Sequence, residues 1–155
     1  SVAQDSGVTC NGSNDGSATV SPEGGVPPYK YLWSNGETTQ KAISLSGGFN
    51  SVTVTDASQA QTSCDISISE PEELEASAEA EGATTSCSCY GSSDGSLDLT
   101  VTGGTSPYTY LWSDGQTTDT ATNLTQGIYT ITVTDANGCS SLDSVNITEP
   151  TVLAI

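Results

Sequence analysis

Apolar and polar residues alternate with a period of two along much of this chain, the spacing of a strand that buries one face. Ser17-Ala18-Thr19-Val20 and Leu97-Asp98-Leu99-Thr100-Val101 show it. So do Ser51 to Thr55, Tyr129 to Thr134, Asp65 to Ser69 and Ser144 to Thr148. Tyr29 to Trp33 and Tyr108 to Trp112 read as strands with Tyr, Tyr and Trp on one face, and Ala42 to Leu45 as a shorter one. Between these runs stand Asp15-Gly16, Gly24-Gly25, Asn35-Gly36, Gly47-Gly48 and their later counterparts. Such pairs supply the positive-φ residues of tight hairpins. Many short strands punctuated in this way predict an all-β, antiparallel sandwich architecture. Glu72 to Glu81 holds good helix formers, but Leu74, Ala76, Ala78 and Ala80 alternate with Glu75, Ser77, Glu79 and Glu81, which predicts a strand.

The pattern occurs twice. Pro28-Tyr29-Lys30-Tyr31-Leu32-Trp33-Ser34-Asn35-Gly36 returns as Pro107-Tyr108-Thr109-Tyr110-Leu111-Trp112-Ser113-Asp114-Gly115. Thr53-Val54-Thr55-Asp56-Ala57 returns as Thr132-Val133-Thr134-Asp135-Ala136, and Glu70-Pro71 as Glu149-Pro150. One offset of 79 residues carries every pair without a gap, with about 29 of 76 positions identical. Proline cannot donate to a ladder, so Pro71 suits a joint between a last strand and a new first one. The expected organisation is a repeat over 1–71, a second over 72–150, and the start of a further strand over 151–155. The leading strand of the first repeat is short. Thr151 to Ile155 joined to Ser1 to Gln4 would complete it. This suggests a window on a longer array, a neighbour's tail added as a strand, or a simple fragment boundary. Tandem copies place function in length, stiffness and surface.

Each copy is near the size at which a core is marginal and a covalent staple helps. Hydrophobic content is 34%, and 19 acidic side chains face two basic ones, Lys30 and Lys41. A net charge of −17 excludes the electrostatic footprint of a nucleic-acid binder and disfavours an anionic membrane surface. It suits solubility and repulsion between modules. With so few basic residues, trypsin-like proteases find little to cut, as suits exposure outside a cell. No apolar run approaches the roughly 18 residues that a membrane helix needs, so no membrane insertion is expected of this segment.

Five cysteines in so short an acidic chain suggest an oxidising compartment. Cys10 matches Cys89 at the repeat offset, whereas Cys64 and Cys139 both lie in last-strand regions, about four residues out of register. The economical expectation is a Cys10–Cys64 bridge, and Cys139 paired with Cys89 or Cys87. Each would contribute roughly 2–4 kcal/mol. Core filling by Trp33, Trp112, Tyr31 and Tyr110 is the first reading of the aromatics, and a stacking platform for sugar rings the second. Tyr129 stands where a corner tyrosine would act. Asn50 holds the matching position, so that device is expected in the second copy only. Asp15, Asp94, Asp56 and Asp135 recur in equivalent loops, and Glu70, Glu72, Glu73 and Glu75 crowd the joint. Calcium takes about six to eight oxygen ligands, which such a joint could supply; turn geometry alone explains the aspartates before glycine. The expected cofactor complement is otherwise none. With no His or Arg there is no Ser-His-Asp triad and no arginine clamp, so no enzyme is expected.

The cysteine, the Asp-Gly turn, the Tyr-x-Tyr-Leu-Trp-Ser-[Asn/Asp]-Gly segment and the Thr-Val-Thr-Asp-Ala strand end together resemble the SprB repeat family. The likeness covers nearly all of both copies. The second copy carries it most fully, from Gly103 to Gly115 and from Gly127 to Cys139. The first departs at Cys64 and Asn50. The resemblance implies two tandem immunoglobulin-like, PKD-like sandwiches from a very large surface protein of Bacteroidota, exported by the type IX system. It implies an adhesin or filament, in one well-known case a mobile gliding adhesin. It also implies O-glycosylation at Asp-[Ser/Thr]-hydrophobic triplets, which singles out Thr120 and Ser144. Asn11, Asn123 and Asn146 sit in N-glycosylation triplets. The expected function is a structural and adhesive module of an extracellular filament, its partners further copies of itself and surface polysaccharide. The alternatives are a carbohydrate-binding module or an accessory domain of a secreted enzyme.

Overall fold

The computed structural model describes residues 1–80 and 90–149, the side chain of Ala80 excepted. The chain divides into two compact units, Ser1–Glu72 and Glu73–Ile155. Every regular element among the described residues is a strand.

The first unit contains β1 (Val2–Ser6), β2 (Gly16–Val20), β3 (Lys30–Trp33), β4 (Lys41–Leu45), β5 (Gly48–Thr55) and β6 (Gln61–Ile68). They form two antiparallel sheets, ordered β1-β2-β4 and β3-β5-β6. The alternation in the sequence fixes the faces. On β5, Asn50, Val52 and Val54 are buried while Ser51, Thr53 and Thr55 are half-exposed. On β3, Tyr31 and Trp33 point the same way, with Trp33 opposite Val52 in the ladder. A slip of one residue would turn each apolar side chain outward, so the burial itself holds the register. Trp33, Val20, Leu45, Val52 and Ile68 fill the space between the sheets. Each buried aliphatic side chain contributes roughly 1.5–3 kcal/mol.

The second unit repeats the plan with β7 (Glu75–Ala80), β8 (Gly95–Thr102), β9 (Thr109–Trp112), β10 (Thr120–Leu124), β11 (Gly127–Thr134) and β12 (Ser140–Ile147). Its sheets are ordered β7-β8-β10 and β9-β11-β12. Trp112, Leu97, Leu124, Ile131, Val133 and Ile147 form its core. The two units are tandem antiparallel β-sandwiches, each with a core drawn from its own residues. The segment over Glu75–Ala80 is the strand that its alternation predicts.

The repeats differ at the leading strand. Val2 pairs with Val20, whereas Ala78 pairs with Leu99, the counterpart of Val20. Val2 therefore takes the place of Ala78. Strand β7 continues outward to Glu75, opposite Thr102. In the first unit the last ladder rung is Ser1, which exchanges two bonds of 2.8 Å with Ser21. Strand β10 has no alternating signal of its own. Its buried residues, Ala121 and Leu124, are three apart because the register shifts between them, and Asn123 takes a φ of 58° there. Its partner in the first unit, with Ala42 and Leu45, is the guide to it.

Candidate functional site

The best-formed local structures serve the fold. In the hairpin after β3, Trp33 N donates to Glu37 O and Gly36 N to Trp33 O, at 2.8 and 2.9 Å. Gly36, at a φ of 89°, allows the turn. The Trp33 indole N–H donates to Thr39 O at 2.8 Å, and that of Trp112 to Thr118 O at 2.9 Å. Both rings are at most 2% exposed, so neither offers a sugar a stacking face. Tyr31 and Tyr110 pack half-buried against the same cores. Glu37, which no sequence motif marks, accepts from the amides of Ile43 and Ser44 and so ties the hairpin to β4. Gln116 does the corresponding work by accepting from Thr122 N and donating to Thr122 O.

The corner tyrosine acts in the second copy only, and Asn50 does related work in the first. Asn50 donates from Nδ2 to Ser46 O at 2.8 Å, while Tyr129 donates its hydroxyl proton to Thr125 O at 3.1 Å. Ser46 and Thr125 are counterparts at the repeat offset. Both units therefore tie down the same carbonyl, one with a short amide and one with a long phenol.

The loop aspartates are clamps. Asp56 accepts from Ser58 N, Ser58 Oγ and Ala60 N through Oδ1, and from Val26 N through Oδ2. Asp135 accepts from Asn137 N and Cys139 N through Oδ1 and from Thr105 N through Oδ2, all within 2.9 Å. One carboxylate thus joins two loops in each unit. Asp15 accepts from the amide and the hydroxyl of Thr9. Glu70 accepts from Gly12 N at 2.6 Å and Glu149 from Gly91 N at 2.8 Å, so the acids at the repeat ends fasten the early turn. Glu72, Glu73 and Glu75 are exposed. Among the described residues no three acidic or cysteine side chains converge on a common point. Asp5 accepts from Thr19 Oγ1 and pairs with Lys41 at 3.2 Å.

These contacts favour the ionised carboxylates. The Ser58 hydroxyl, then the Val26 amide, hold Asp56 below the usual range against a desolvation that opposes them. For Asp135 desolvation is the largest influence and raises the value, but the amides of Thr105, Cys139, Asn137 and Gly138 together outweigh it. Asp15 is lowered chiefly by the Thr9 hydroxyl, and Asp5 by Thr19 and then Lys41. A folded-state value below the unfolded one gives stability that is present above the unfolded value, about 3.9 for Asp, and lost as pH falls through the folded one. Asp135→Asn should therefore lower the melting temperature at pH 7, because an amide offers only one acceptor to two loops. The deficit should narrow in melts taken below about pH 4. A deficit that stays constant across the acid range would remove the electrostatic account.

The cysteines depart from expectation. Cys10 is in a disulfide and Cys64 is a free thiol, so the Cys10–Cys64 bridge is not formed. Val8 N donates to Ser69 O and Asn11 Nδ2 to Pro71 O, which lays the Cys10 segment beside residues 69–71. Cys64 lies five residues back along that strand, about 16 Å away, and a disulfide spans Cα atoms less than about 7 Å apart. Cys64 instead lies half-buried against the core, opposite Val52. Cys139 is in a disulfide. Cys87 and Cys89, the expected alternatives for its partner, lie outside the described residues. Thr120 is half-buried and its hydroxyl donates to Asp98 at 3.0 Å, while Ser144 is exposed on β12.

Among the described residues there is a shallow concavity of about 440 Å³ in the second unit, lined by Leu74, Glu75, Thr100, Thr102 and Ser141, and another in the first. A cleft of about 320 Å³ opens at the end of the first unit, lined among others by Val20, Gly25, Tyr29, Val54, Thr62 and Cys64. In the second unit the corresponding residues close around Leu74, which is 8% exposed. A Cβ on Gly104 would lie 2.9 Å from Leu74 Cδ1. The nearest atoms to a Cβ on Gly25, its counterpart, all belong to Asp56.

Residues 6–38 and 82–117 match the SprB repeat family. No curated protein matches the chain. Among solved structures it is similar to the C-terminal 282-residue fragment of intimin, crystallised with the intimin-binding domain of the translocated intimin receptor. That alignment has 16% identity, covers 94% of this chain and 62% of the fragment, and has a TM-score of 0.47. The chain thus spans less than two thirds of that fragment. It is also similar to the amphioxus IgVJ-C2 molecule, with 14% identity, 89% of this chain and 98% of that one covered, and a TM-score of 0.38.

Proposed function

Starting from two SprB repeats in one chain, we propose that this protein is a structural module of a large extracellular adhesin or filament. The observation that carries the reading is the duplication itself: each copy closes its own core around its own tryptophan. Such a unit adds length and stiffness wherever it is inserted. The disulfides at Cys10 and Cys139 suit an oxidising exterior, and the charge of −17 keeps neighbouring modules apart. The loop carboxylates are spent on amides, which leaves the chain's best-placed acids with a structural task. The narrower form of the proposal places the parent protein on the surface of a Bacteroidota cell, exported by the type IX system and engaged in attachment or gliding, with sugar on Thr120 and Ser144.

The test is antibody labelling of intact source cells, with and without protease shaving. Surface label that shaving removes is the expected result. Antigen reached only after the cells are broken would overturn the proposal. The alternative, a carbohydrate-binding module, draws on Phe49 and Tyr90, which are 89% and 64% exposed. Loss of polysaccharide retention on Phe49→Ser and Tyr90→Ser would favour it.

A further inference from the structure

We propose that the outer face of the β9-β11-β12 sheet docks against the same face of a second copy of this chain, sheet on sheet about a twofold axis. The inference rests on the module reading above and extends it to how copies hold together side by side.

The second unit has two unlike faces. On the sheet of β7, β8 and β10 the outward residues include Glu75, Glu79 and Asp98. On the sheet of β9, β11 and β12 no outward residue is charged. Asp143, the one acid on these three strands, is half-buried and accepts from the Ala78 amide at 2.8 Å, across the edge of the sandwich. Leu111 and Leu142 flank Thr132 on one rung, and Ile128 follows further along β11. These three aliphatic side chains are 57%, 68% and 73% exposed. The core is filled without them. The first repeat also leaves large apolar side chains uncovered at two of these places, with Leu32 for Leu111 and Phe49 for Ile128.

Charge selects the occupant. A basic partner would be drawn to the carboxylates of the opposite sheet. A second copy carries the same net charge of −17, so close approach is favoured where neither side presents a carboxylate. A twofold axis sets one patch against itself, which suits a face whose apolar and hydroxyl side chains can interleave. Two such sheets pack about 10 Å apart and within about 30° of alignment, as in the interior of a sandwich.

The size of the face sets the strength of the contact. Three strands at a spacing of about 4.8 Å and a rise of about 3.4 Å per residue present roughly 300 Å² per copy. Two copies together fall short of the roughly 1,200 Å² at which standard stable complexes begin. Each contact is therefore weak, and it gains strength when many are linked along an array. Ser144 is an outward residue of β12, so a sugar there would stand in the face, and it is the unmodified chain that pairs.

The salt dependence has a definite sign. Repulsion between two acidic copies reaches about 10 Å at 0.1 M salt and about 3 Å at 1 M. Association should strengthen with salt, whereas docking through ion pairs would weaken. The unglycosylated chain is followed by sedimentation and methyl NMR over about a hundredfold range of concentration up to about 1 mM, at low and at high salt. The expected result is a mass that rises with concentration, more so at high salt, with shifts confined to the methyls of Leu111, Ile128, Thr132 and Leu142. Leu142→Glu and Thr132→Glu should each abolish the rise, because docking would bury a carboxylate without a partner. Ser77→Glu, which adds the same charge to the opposite sheet, should retain it.

A mass independent of concentration at both salts overturns the proposal. So does association that survives both glutamates on the face, or that Ser77→Glu abolishes equally. Methyl shifts produced by dextran at fixed protein concentration, and absent on concentrating the chain alone, would assign the face to neutral polysaccharide and also overturn it. These outcomes are independent of where the protein resides. Surface labelling without self-association leaves the module reading standing and removes this one, and self-association of an antigen found only inside cells does the reverse.

Discussion

Trp33→Ala is expected to destabilise the first unit by about 3–5 kcal/mol, enough to unfold it at ambient temperature. Trp33 is 2% exposed and is the largest side chain of its core. Its removal leaves a cavity between two three-stranded sheets that share few other large residues, so the gap cannot close by small shifts. The second unit should keep its transition, because its core cluster draws on no residue of the first. Denaturant unfolding followed by far-ultraviolet circular dichroism would then show one transition lost and one retained. Trp33→Phe separates the ring from its polar edge. It keeps most of the volume, forfeits the bond from the indole N–H to Thr39 O and should cost less than the alanine variant. Loss of both transitions in the alanine variant would show that the two cores are not separate folding units.

The second large effect is expected at Leu74. Leu74→Ala should cost the second unit about 2–4 kcal/mol, at the lower part of the range for a buried leucine because the site lies at the rim. The substitution should also open at Gly104 the kind of cleft that the first unit has at Gly25. Hydrogen exchange gives a sharper readout than the melt. Protection of the Ala76 and Ala78 amides, bonded to Ser141 Oγ and Asp143 Oδ2, should fall, while amides in the β9-β11-β12 sheet stay protected. If those two amides keep their protection, Leu74 does not hold the outer half of β7 in place.

Much of this architecture could be read in the chain before any coordinates. Strands that alternate strictly, such as those around Val52 and Val54 or Ile131 and Val133, carry their inward faces in their spelling. The alternation over Glu75–Ala80 outweighed the helix propensity of Glu and Ala because packing decides between them. Strand β10 escaped because a register shift puts its two buried residues three apart, a spacing that alone suggests no strand. The role of Asn50 escaped because the sequence shows a missing tyrosine, whereas the structure shows a shared acceptor, the carbonyl four residues earlier. The Cys10–Cys64 pairing failed for a deeper reason. Strand periodicity tells which face a cysteine is on, but the bridge depends on distance along the strand, and Cys64 lies too far from the end where Cys10 is anchored. Asp56 and Asp135 were recognised as turn residues, yet nothing local in the sequence reveals that each reaches a loop 30 positions away.

The contrast between Asn50 and Tyr129 also bears on how neighbours of nearly the same shape avoid mixing during synthesis. Tandem domains are prone to trading strands with the next copy while both are still collapsing. A β11 segment inserted in place of β5 would drive a phenol ring into the site that holds Asn50 at 5% exposure, and the reverse exchange would set a short amide where the longer phenol packs. Two unlike solutions to one local problem thus act as a lock against misassembly, keeping each strand with its own siblings.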